Sequence, residues 1–154
     1  MIGFNGVFMV IDLLKLKRTG KSSVDFAFNY EVEDNLTDLP NAKIDDVKVI
    51  GTLTITDDKT CYVDAEVSYV LTGDCTRCTR PARTEIVTKL EEEFSCLETE
   101  GYSYINDKVD LTKAVKDSIV LSQPDKLLCK EDCKGVCFNC GKNLNDGDCG
   151  CQNL

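Results

Sequence analysis

Long stretches of the chain alternate between apolar and polar residues, the pattern of strands with one buried face. Residues 24–32 form one such run. Two more runs fill residues 47–74 on either side of Asp57-Asp58-Lys59 and predict a hairpin. A weaker run over residues 84–94 predicts a further strand. The positions expected to face the core are Val24, Phe26, Phe28, Tyr30, Val32, Val47, Val49, Leu53, Ile55, Cys61, Val63, Ala65, Val67, Tyr69, Leu71, Ile86, Leu90 and Phe94.

The helical signal is confined to one clear segment, DLTKAVKDSIVLSQP at residues 110–124. Asp110 is a suitable N-cap and Pro124 ends the segment. Its expected buried stripe is Leu111, Ala114, Val115, Ser118 and Ile119. An apolar run at residues 8–17 fits a helix or a strand, and the acidic segment 33–46, which contains Pro40, predicts a loop. The predicted fold class is therefore α+β: a mainly antiparallel sheet with one solvent face, one or two helices and a cysteine-rich zinc-knuckle tail at the C-terminus.

The domain organisation follows from a change in composition after the helix. A chain of 154 residues is long enough to bury a core without disulfides. Beyond Pro124 the apolar content drops and cysteines dominate. We therefore expect a β-rich domain with one C-terminal helix over residues 1–123, and a zinc-binding tail over residues 124–154 that packs back on the sheet.

Eight of the ten cysteines form short-spaced pairs suited to holding a metal. These pairs are Cys75/Cys78, Cys129/Cys133, Cys137/Cys140 and Cys149/Cys151. Tetrahedral Zn²⁺ takes four thiolates, and a short-spaced pair supplies two from one tight turn. The last two pairs can close one site, and the first two a second site that joins the tail to the hairpin tip. A single site that mixes the six tail cysteines is the competing arrangement. Cys61 and Cys96 are interpreted as ordinary thiols.

The type of metal site bears on whether the protein is an enzyme. The chain has no histidine, the commonest general base and a usual ligand of catalytic zinc. Four cysteine ligands also leave no open coordination position for a substrate. The sequence therefore favours structural zinc, two ions in all, in a protein that is not an enzyme. Iron in an all-sulfur cage is the alternative and implies a small redox or electron-transfer protein.

Charge limits the partners that the protein can bind. The net charge is −9, with 27 acidic and 18 basic residues, which disfavours nonspecific binding to nucleic acid. The segment around the first cysteine pair is locally basic and includes Arg77, Arg80 and Arg83. These arginines form either a solvated hairpin tip or a local contact to RNA or a partner. The N-terminal residues do not fit a secretory signal, and ten cysteines in a reducing compartment indicate metal, so a cytoplasmic location is expected.

Four stretches together resemble the YceD-like family, whose bacterial members are described as large-ribosomal-subunit RNA accumulation proteins. They are IDLLKLKRT, LTGDCTRCTRPA, DLTKAVKDSIVLSQP and LCKEDCKGVCFNCGKNLNDGDCGC, in that order along the chain. The resemblance implies a cytoplasmic factor in large-subunit (23S) ribosomal RNA processing or accumulation. It also implies that the hairpin Cys-x-x-Cys is shared by the family and that the terminal knuckle is not. The chain has Phe138 where the family often has proline.

The resemblance and the charge together predict the partners. We expect a ribosomal protein, or ribosomal RNA within a pre-ribosome, and neither a membrane nor a small-molecule substrate. An acidic protein is expected to prefer a basic ribosomal protein, or RNA already coated by one, over free RNA.

Overall fold

A computed structural model describes residues 2–6, 9–32, 35–97 and 101–151, with the backbone alone for residues 2–6. The predictions made for Phe8, for residues 33–34 and for residues 152–154 lie outside the described residues. The strands are β1 (Ile2–Gly6), β2 (Val10–Asp12), β3 (Ser23–Tyr30), β4 (Lys43–Ile55), β5 (Thr60–Asp74), β6 (Pro81–Ser95), β7 (Tyr102–Ser103) and β8 (Lys108–Asp110). The helices are α1 (Leu13–Arg18), α2 (Thr112–Ser122) and a 3₁₀ turn at Leu144–Asp146.

A six-stranded sheet in the order β1-β3-β4-β5-β6-β7 forms the body of the described chain. The central pairs β3–β4, β4–β5 and β5–β6 are antiparallel, while the short outer strands β1 and β7 pair in parallel. Strands β5 and β6 pair over their whole lengths, from Thr60–Ser95 to Asp74–Pro81. The predicted α+β class with a mainly antiparallel sheet is confirmed.

One face of the sheet is buried, as the alternation predicts. On β5 every predicted core position, from Cys61 to Leu71, is buried, and the intervening Tyr62, Asp64 and Glu66 are exposed. Phe26 and Phe28 on β3 stack on each other in the same core, with ring centroids 5.4 Å apart. The long β5–β6 hairpin therefore packs against the core along one face, and this packing supports the turn at its tip.

Strand β4 begins at Lys43, inside the segment predicted to be a loop. Its register with β5 shifts between Asp45 and Lys48, which marks a β-bulge. The bulge places Ile44 and Val47 on the buried side although they are three residues apart. A period of two cannot recognise that spacing, so the prediction began the strand too late.

The apolar run at residues 8–17 contains both a strand and a helix. Val10–Asp12 pairs with Lys108–Asp110, and Leu13–Arg18 continues as a helix that Asp12 caps. The Asp12 carboxylate accepts a hydrogen bond from the Leu14 N–H at 3.0 Å. The two predicted alternatives are thus both present, one after the other.

Helix α2 closes the core against β5 and β6. Leu111, which precedes its first residue, already has helical dihedrals, and the Asp110 carboxylate accepts the Thr112 N–H at 2.9 Å. The N-cap is therefore Leu111, one residue after the predicted Asp110, although the Asp110 side chain still accepts a hydrogen bond from the first turn. At the other end, the buried Tyr69 hydroxyl and the Ser122 hydroxyl are hydrogen-bonded at 2.8 Å. No helix in the described ranges is long and apolar enough to cross a membrane.

Candidate metal centres

The first cysteine cluster joins the tip of the β5–β6 hairpin to the segment after α2. Its members are Cys75, Cys78, Cys129 and Cys133, and their four sulfur atoms all lie within 4.8 Å of one another. The Cys75 and Cys133 sulfurs are 3.6 Å apart, and those of Cys78 and Cys129 are 3.5 Å apart. All four cysteines are free thiols. The structure thus brings together two sequence segments that are about fifty residues apart.

Apolar packing and backbone hydrogen bonds carry the tail to this cluster. Leu127 is 1% exposed and belongs to the main core, and its carbonyl accepts the Thr76 N–H at 2.7 Å. Gly73 makes room for it, because a Cβ there would lie 3.1 Å from a Leu127 methyl and 2.9 Å from the Ala42 Cα. The Arg77 guanidinium then donates to the Cys133 carbonyl at 2.9 Å. The cluster is therefore an extension of the core.

The second cluster is local to the tail. Cys137, Cys140, Cys149 and Cys151 place their sulfurs within 4.8 Å of one another. Cys140 and Cys151 are exposed, and the other two are half-buried. The loop between the pairs contains the 3₁₀ turn Leu144–Asp146. This cluster lies at the surface and has a loop of its own.

Both Cys-x-x-Cys turns have the same backbone hydrogen bonds. In the first, the Cys75 N–H donates to the Arg80 carbonyl at 2.7 Å, and the Thr79 N–H donates to the Cys75 carbonyl at 2.9 Å. In the second, Cys137 N–H donates to the Lys142 carbonyl and Gly141 N–H to the Cys137 carbonyl, both at 2.9 Å. The sequence therefore builds the same knuckle twice, once on the sheet and once in the tail.

The residue after each knuckle has a left-handed backbone, with φ of 65° at Thr79 and 74° at Gly141. Glycine adopts that conformation without steric cost, whereas a β-branched residue is an outlier there. The Thr79 hydroxyl donates to the Cys78 carbonyl at 2.6 Å. The first knuckle therefore holds a strained residue that the second one avoids.

Hydrogen bonding in the first cluster selects the thiols that ionise. Burial raises the pKa of the Cys75 thiol, but backbone N–H donors at Cys78 and Cys129 outweigh it and bring the pKa to about 6. The pKa of Cys129 is raised to about 12, first by its bond with the Cys78 thiol and then by burial. The Asn145 side chain lowers the pKa of Cys133. Four crowded thiols cannot all be negative without a cation, whereas a bound divalent metal deprotonates its thiol ligands.

The second cluster also contains thiols whose pKa values are shifted in opposite directions. Backbone N–H groups of Cys140 and Asn139 lower the pKa of Cys137 to about 6. The pKa of Cys151 is raised to about 12, first by hydrogen bonding with Cys149 and then with Cys140. Backbone N–H donors therefore favour the thiolate form of one knuckle cysteine in each cluster, Cys75 and Cys137.

The donor set of each cluster fits a tetrahedral metal ion. With Zn–S bonds of about 2.3 Å, neighbouring sulfurs of a tetrahedron are about 3.8 Å apart. In the first cluster the sulfur separations of 3.5 and 3.6 Å are close to that edge and far longer than a disulfide bond of about 2.0 Å, and in the second all four sulfurs lie within 4.8 Å of one another. Two groups of four cysteines can therefore each bind one metal ion, and all-sulfur ligation fits either zinc or iron.

The remaining two cysteines lie outside both groups. Cys61 is buried on β5, and burial, with the Glu93 carboxylate, raises its pKa to about 11. Cys96 is exposed just after β6. Neither belongs to a metal-ligating group of the described residues.

The three arginines singled out from the sequence have different surroundings. Arg77 bonds to the Cys133 carbonyl, and Arg80 forms an ion pair with Asp146 in the second cluster's loop. Arg83 is exposed on β6, beside a shallow surface depression that also contains Lys48 and Glu85. All three arginines are exposed, and two of them, Arg77 and Arg80, also bond to the tail.

Sequence reasoning missed two residues that build the site, Leu127 and Asn145. Leu127 and Leu128 form an apolar pair in an otherwise polar segment, which is too short for periodicity to show which of them is buried. Asn145 donates its amide to the Cys133 sulfur at 3.4 Å, across the boundary between the clusters. Its signal is only its place in the Asn-Leu-Asn turn of the tail.

Comparison with known proteins agrees with this architecture. The family model "Large ribosomal RNA subunit accumulation protein YceD" matches residues 63–153, from β5 through both clusters. An uncharacterized protein of Mycobacterium tuberculosis (strain H37Rv) is 29% identical over 91 residues, which cover 53% of this chain and 44% of the relative. The Arabidopsis thaliana "Large ribosomal RNA subunit accumulation protein YCED homolog 1, chloroplastic" is 26% identical over 132 aligned residues, which cover 60% of this chain and 40% of the relative.

The matches differ in how much of each protein they cover. The chain spans less than half the length of these curated relatives. No solved structure shows a significant similarity to it. The family model covers more than half of the chain and includes all eight clustered cysteines. The chain belongs to the YceD family of large ribosomal RNA subunit accumulation proteins.

Proposed function

We propose that this chain is a cytoplasmic, non-enzymatic factor that supports accumulation or processing of the large-subunit (23S) ribosomal RNA. In this proposal two structural zinc ions hold its tail, residues 124–154, on the β-rich body formed by residues 1–123. The observation that carries it is the pair of four-cysteine clusters within the region that matches the family. The family is named for RNA accumulation and not for a reaction.

The ligand sets support a structural role for the metal. Four protein sulfurs complete a tetrahedral zinc site, whereas catalytic zinc keeps one position for water. Thiolate donors also make zinc a poor Lewis acid. Cys75, Cys78, Cys129 and Cys133 would hold one ion, and Cys137, Cys140, Cys149 and Cys151 the other. Metal binding there would contribute directly to folding, because the unfolded chain has no preformed cage.

Charge on the solvent face of the sheet supports a basic protein partner. Asp64 on β5 is directly opposite Glu91 on β6, and Glu66 and Glu93 lie on the same exposed face, where Lys89 opposite Glu66 is the one base on these two strands' acidic stretch. Like charges on directly opposed residues destabilise a sheet, and this face repels phosphate. We therefore propose that the chain binds a basic ribosomal protein, or ribosomal RNA already covered by one.

The arginines offer a second, local contact to RNA. Arg83 is the informative position, since Arg77 and Arg80 also bond to the tail. Arg83→Glu is expected to weaken association with the pre-ribosome without loss of metal. Arg77→Glu is expected to disturb the first cluster as well, so the pair separates RNA contact from tail attachment. Unchanged association of Arg83→Glu would remove the RNA contact from the proposal.

One experiment tests the function and the metal together. The chain is purified from its native cells in native salt, and the bound proteins, bound RNA and metal content of the same sample are measured. Two zinc ions per chain and salt-sensitive co-purification of large-subunit components support the proposal. Tight binding to free large-subunit RNA alone contradicts the basic-partner assignment.

Iron is the alternative metal, and the surface position of the second cluster is the observation that favours it. An electron-transfer centre must lie close to the protein surface, as Cys140 and Cys151 do. Iron–thiolate centres absorb visible light, whereas zinc centres are colourless. Iron in the metal analysis, with reversible bleaching on reduction, would replace the ribosomal role with a redox role.

A further inference from the structure

The turn Leu144–Asp146 belongs to the loop of the second cluster but contacts the first. The Asn145 side-chain amide lies 3.4 Å from the Cys133 sulfur, a ligand of the first cluster. The Lys134 backbone N–H donates to the side-chain oxygen of Asn145, Oδ1, at 2.9 Å. One side chain of the second loop thus bonds both to a cysteine of the first cluster and to the backbone that follows it.

The hydrogen bonds fix the orientation of the Asn145 amide. A backbone N–H can only donate, so the side-chain oxygen must face Lys134. The NH₂ group then faces the Cys133 sulfur and the side-chain oxygen of Asn143, which is 2.9 Å away. An amide donor directed at sulfur stabilises the thiolate, the form that binds metal.

Two further contacts hold the turn against the first cluster. The Leu144 N–H donates to the Gly135 carbonyl at 2.8 Å. Gly135 has φ of 77°, and a Cβ there would lie 3.4 Å from the Arg77 carbonyl oxygen, so the tail passes close to the hairpin tip. Asp146 pairs with Arg80, which follows the first knuckle. The contacts together form a continuous connection between the clusters.

We infer that the two clusters bind metal cooperatively, and that Asn145 is the positioning residue that couples them. The inference rests on the proposed metal binding at both clusters. A metal held by Cys140 and Cys149 fixes the ends of the loop and thereby presents Asn145 to Cys133. The coupling is reciprocal, because a loaded first cluster presents a charged sulfur that holds the loop in place. Mutation of a residue that hydrogen-bonds to a metal ligand typically lowers metal affinity by about 10–100-fold.

The test measures the affinity of the first cluster for Co²⁺ in the full chain. Co²⁺–thiolate absorption reports occupied sites, and competition with a chelator gives the affinity. The double variant Cys149→Ser/Cys151→Ser leaves the first cluster as the complete four-sulfur site. Its affinity at that cluster is expected to be at least about tenfold below that of the parent chain.

Asn145→Ala tests whether the side chain carries the coupling. In the parent chain it should weaken the first cluster by about the same factor and leave the second cluster able to bind Co²⁺. In the Cys149→Ser/Cys151→Ser background it should cause little further loss, because the loop no longer presents it. Asp125→Asn is the control, since Asp125 is exposed in the same tail and lies outside both clusters and their loops.

Asn145→Asp separates the bond to sulfur from the bond to the backbone. It keeps the oxygen that accepts from Lys134 but replaces the amide donor with a second oxygen. Its affinity loss at the first cluster should equal or exceed that of Asn145→Ala. Parent-like affinity in Asn145→Asp would exclude the sulfur contact as the origin of the coupling.

The outcomes separate this inference from the proposed function. If the parent chain binds two Co²⁺ ions but the affinity of the first cluster is unchanged by Asn145→Ala and by the double cysteine variant, the coupling is overturned and the metal proposal stands. Additive losses from Asn145→Ala and the double cysteine variant would assign Asn145 to the first cluster alone and overturn its coupling role. No Co²⁺ binding by the parent chain would overturn both.

Discussion

The two cysteine clusters have the same ligands and the same knuckle but lie in different surroundings. In the first, Cys75 is 1% exposed and Cys78 and Cys133 are each 3% exposed, and the tail beside them is anchored by Leu127. In the second, Cys140 and Cys151 are exposed, and Cys137 and Cys149 are half-buried. The first group of four sulfurs is therefore part of the core, whereas the second lies at the surface and joins the two ends of a loop.

Two sites with identical ligands can therefore differ in what a bound metal contributes to stability. Removing metal from the first cluster would leave three buried thiols and one half-buried thiol at the junction of the sheet and the tail. Removing it from the second would free the ends of a mostly polar surface loop. Burial therefore determines how much of the fold depends on each ion.

The largest expected effect is the contrast between Cys75→Ser and Cys140→Ser. Loss of a metal site in the core is one of the few single changes that costs about 4 kcal/mol or more of unfolding free energy. Cys75→Ser should reach that cost, loosen the tail near Cys129 and leave the second cluster metal-loaded. Cys140→Ser should cost about 1–2 kcal/mol, because it acts on the first cluster only through a roughly tenfold affinity change. Urea denaturation followed by circular dichroism, with metal analysis, measures both, and equal losses would contradict the contrast.

The next effect isolates apolar anchoring from metal binding. Leu127→Ala should lower the free energy of unfolding by about 3 kcal/mol, because it leaves a cavity between the tail and the sheet. Leu121→Ala is the matched control, since Leu121 is 85% exposed and its truncation should change stability by less than about 0.5 kcal/mol. The same denaturation experiment applies. If Leu127→Ala behaved like the control, the metal alone would hold the tail.

A smaller effect is expected in the rates of thiol modification. With a chelator and a maleimide added to the metal-loaded chain, Cys140 and Cys151 should react at least about tenfold faster than Cys75 and Cys133, because the buried sulfurs must wait for local opening. Peptide mapping by mass spectrometry gives the order. Exposed Cys96 lies in neither cluster and should react at one rate with or without metal. Simultaneous labelling of both clusters would show that they open as one unit.

The body of the fold could be predicted because its strands obey one simple period. Buried and more exposed residues alternate along β5 from Cys61 to Tyr69, and each residue of this strand that was predicted to face the core is buried. The prediction failed at the β4 bulge, where Ile44 and Val47 share a side despite an odd spacing. It also did not foresee the parallel strands β1 and β7, since pairing between distant short segments leaves no local pattern.

The candidate site was predictable in its ligands and not in its supports. Cysteine spacing indicates which residues can bind metal, and the structure gathers the eight into two groups of four. The contacts of Asn145 with Cys133 and of Arg80 with Asp146 join residues whose sequence context is unremarkable. Such contacts depend on the path of the tail over the hairpin, which no local rule specifies.

The smallest expected effect exchanges the residues that follow the two knuckles. Gly141 has φ of 74° and open space around its missing Cβ, so Gly141→Thr introduces backbone strain without a clash. Left-handed backbone costs a residue with a side chain about 1–2 kcal/mol, so the second cluster should bind Co²⁺ about tenfold more weakly. Thr79→Gly relieves the same strain but loses the hydroxyl bond to Cys78 and adds freedom to the unfolded chain. The net gain should therefore be only about 0.5 kcal/mol.

Thr79→Asn serves as the control for this exchange, because asparagine tolerates the left-handed region while keeping a polar side chain. Urea denaturation gives the stability of the Thr79 variants, and chelator competition gives the Co²⁺ affinity of the Gly141 variant. A gain in stability in Thr79→Gly together with a loss of Co²⁺ affinity in Gly141→Thr would show that the same backbone geometry governs both knuckles. Destabilisation by both Thr79→Gly and Thr79→Asn would mean that the hydroxyl bond to Cys78 outweighs the strain, and that the buried knuckle depends on threonine itself.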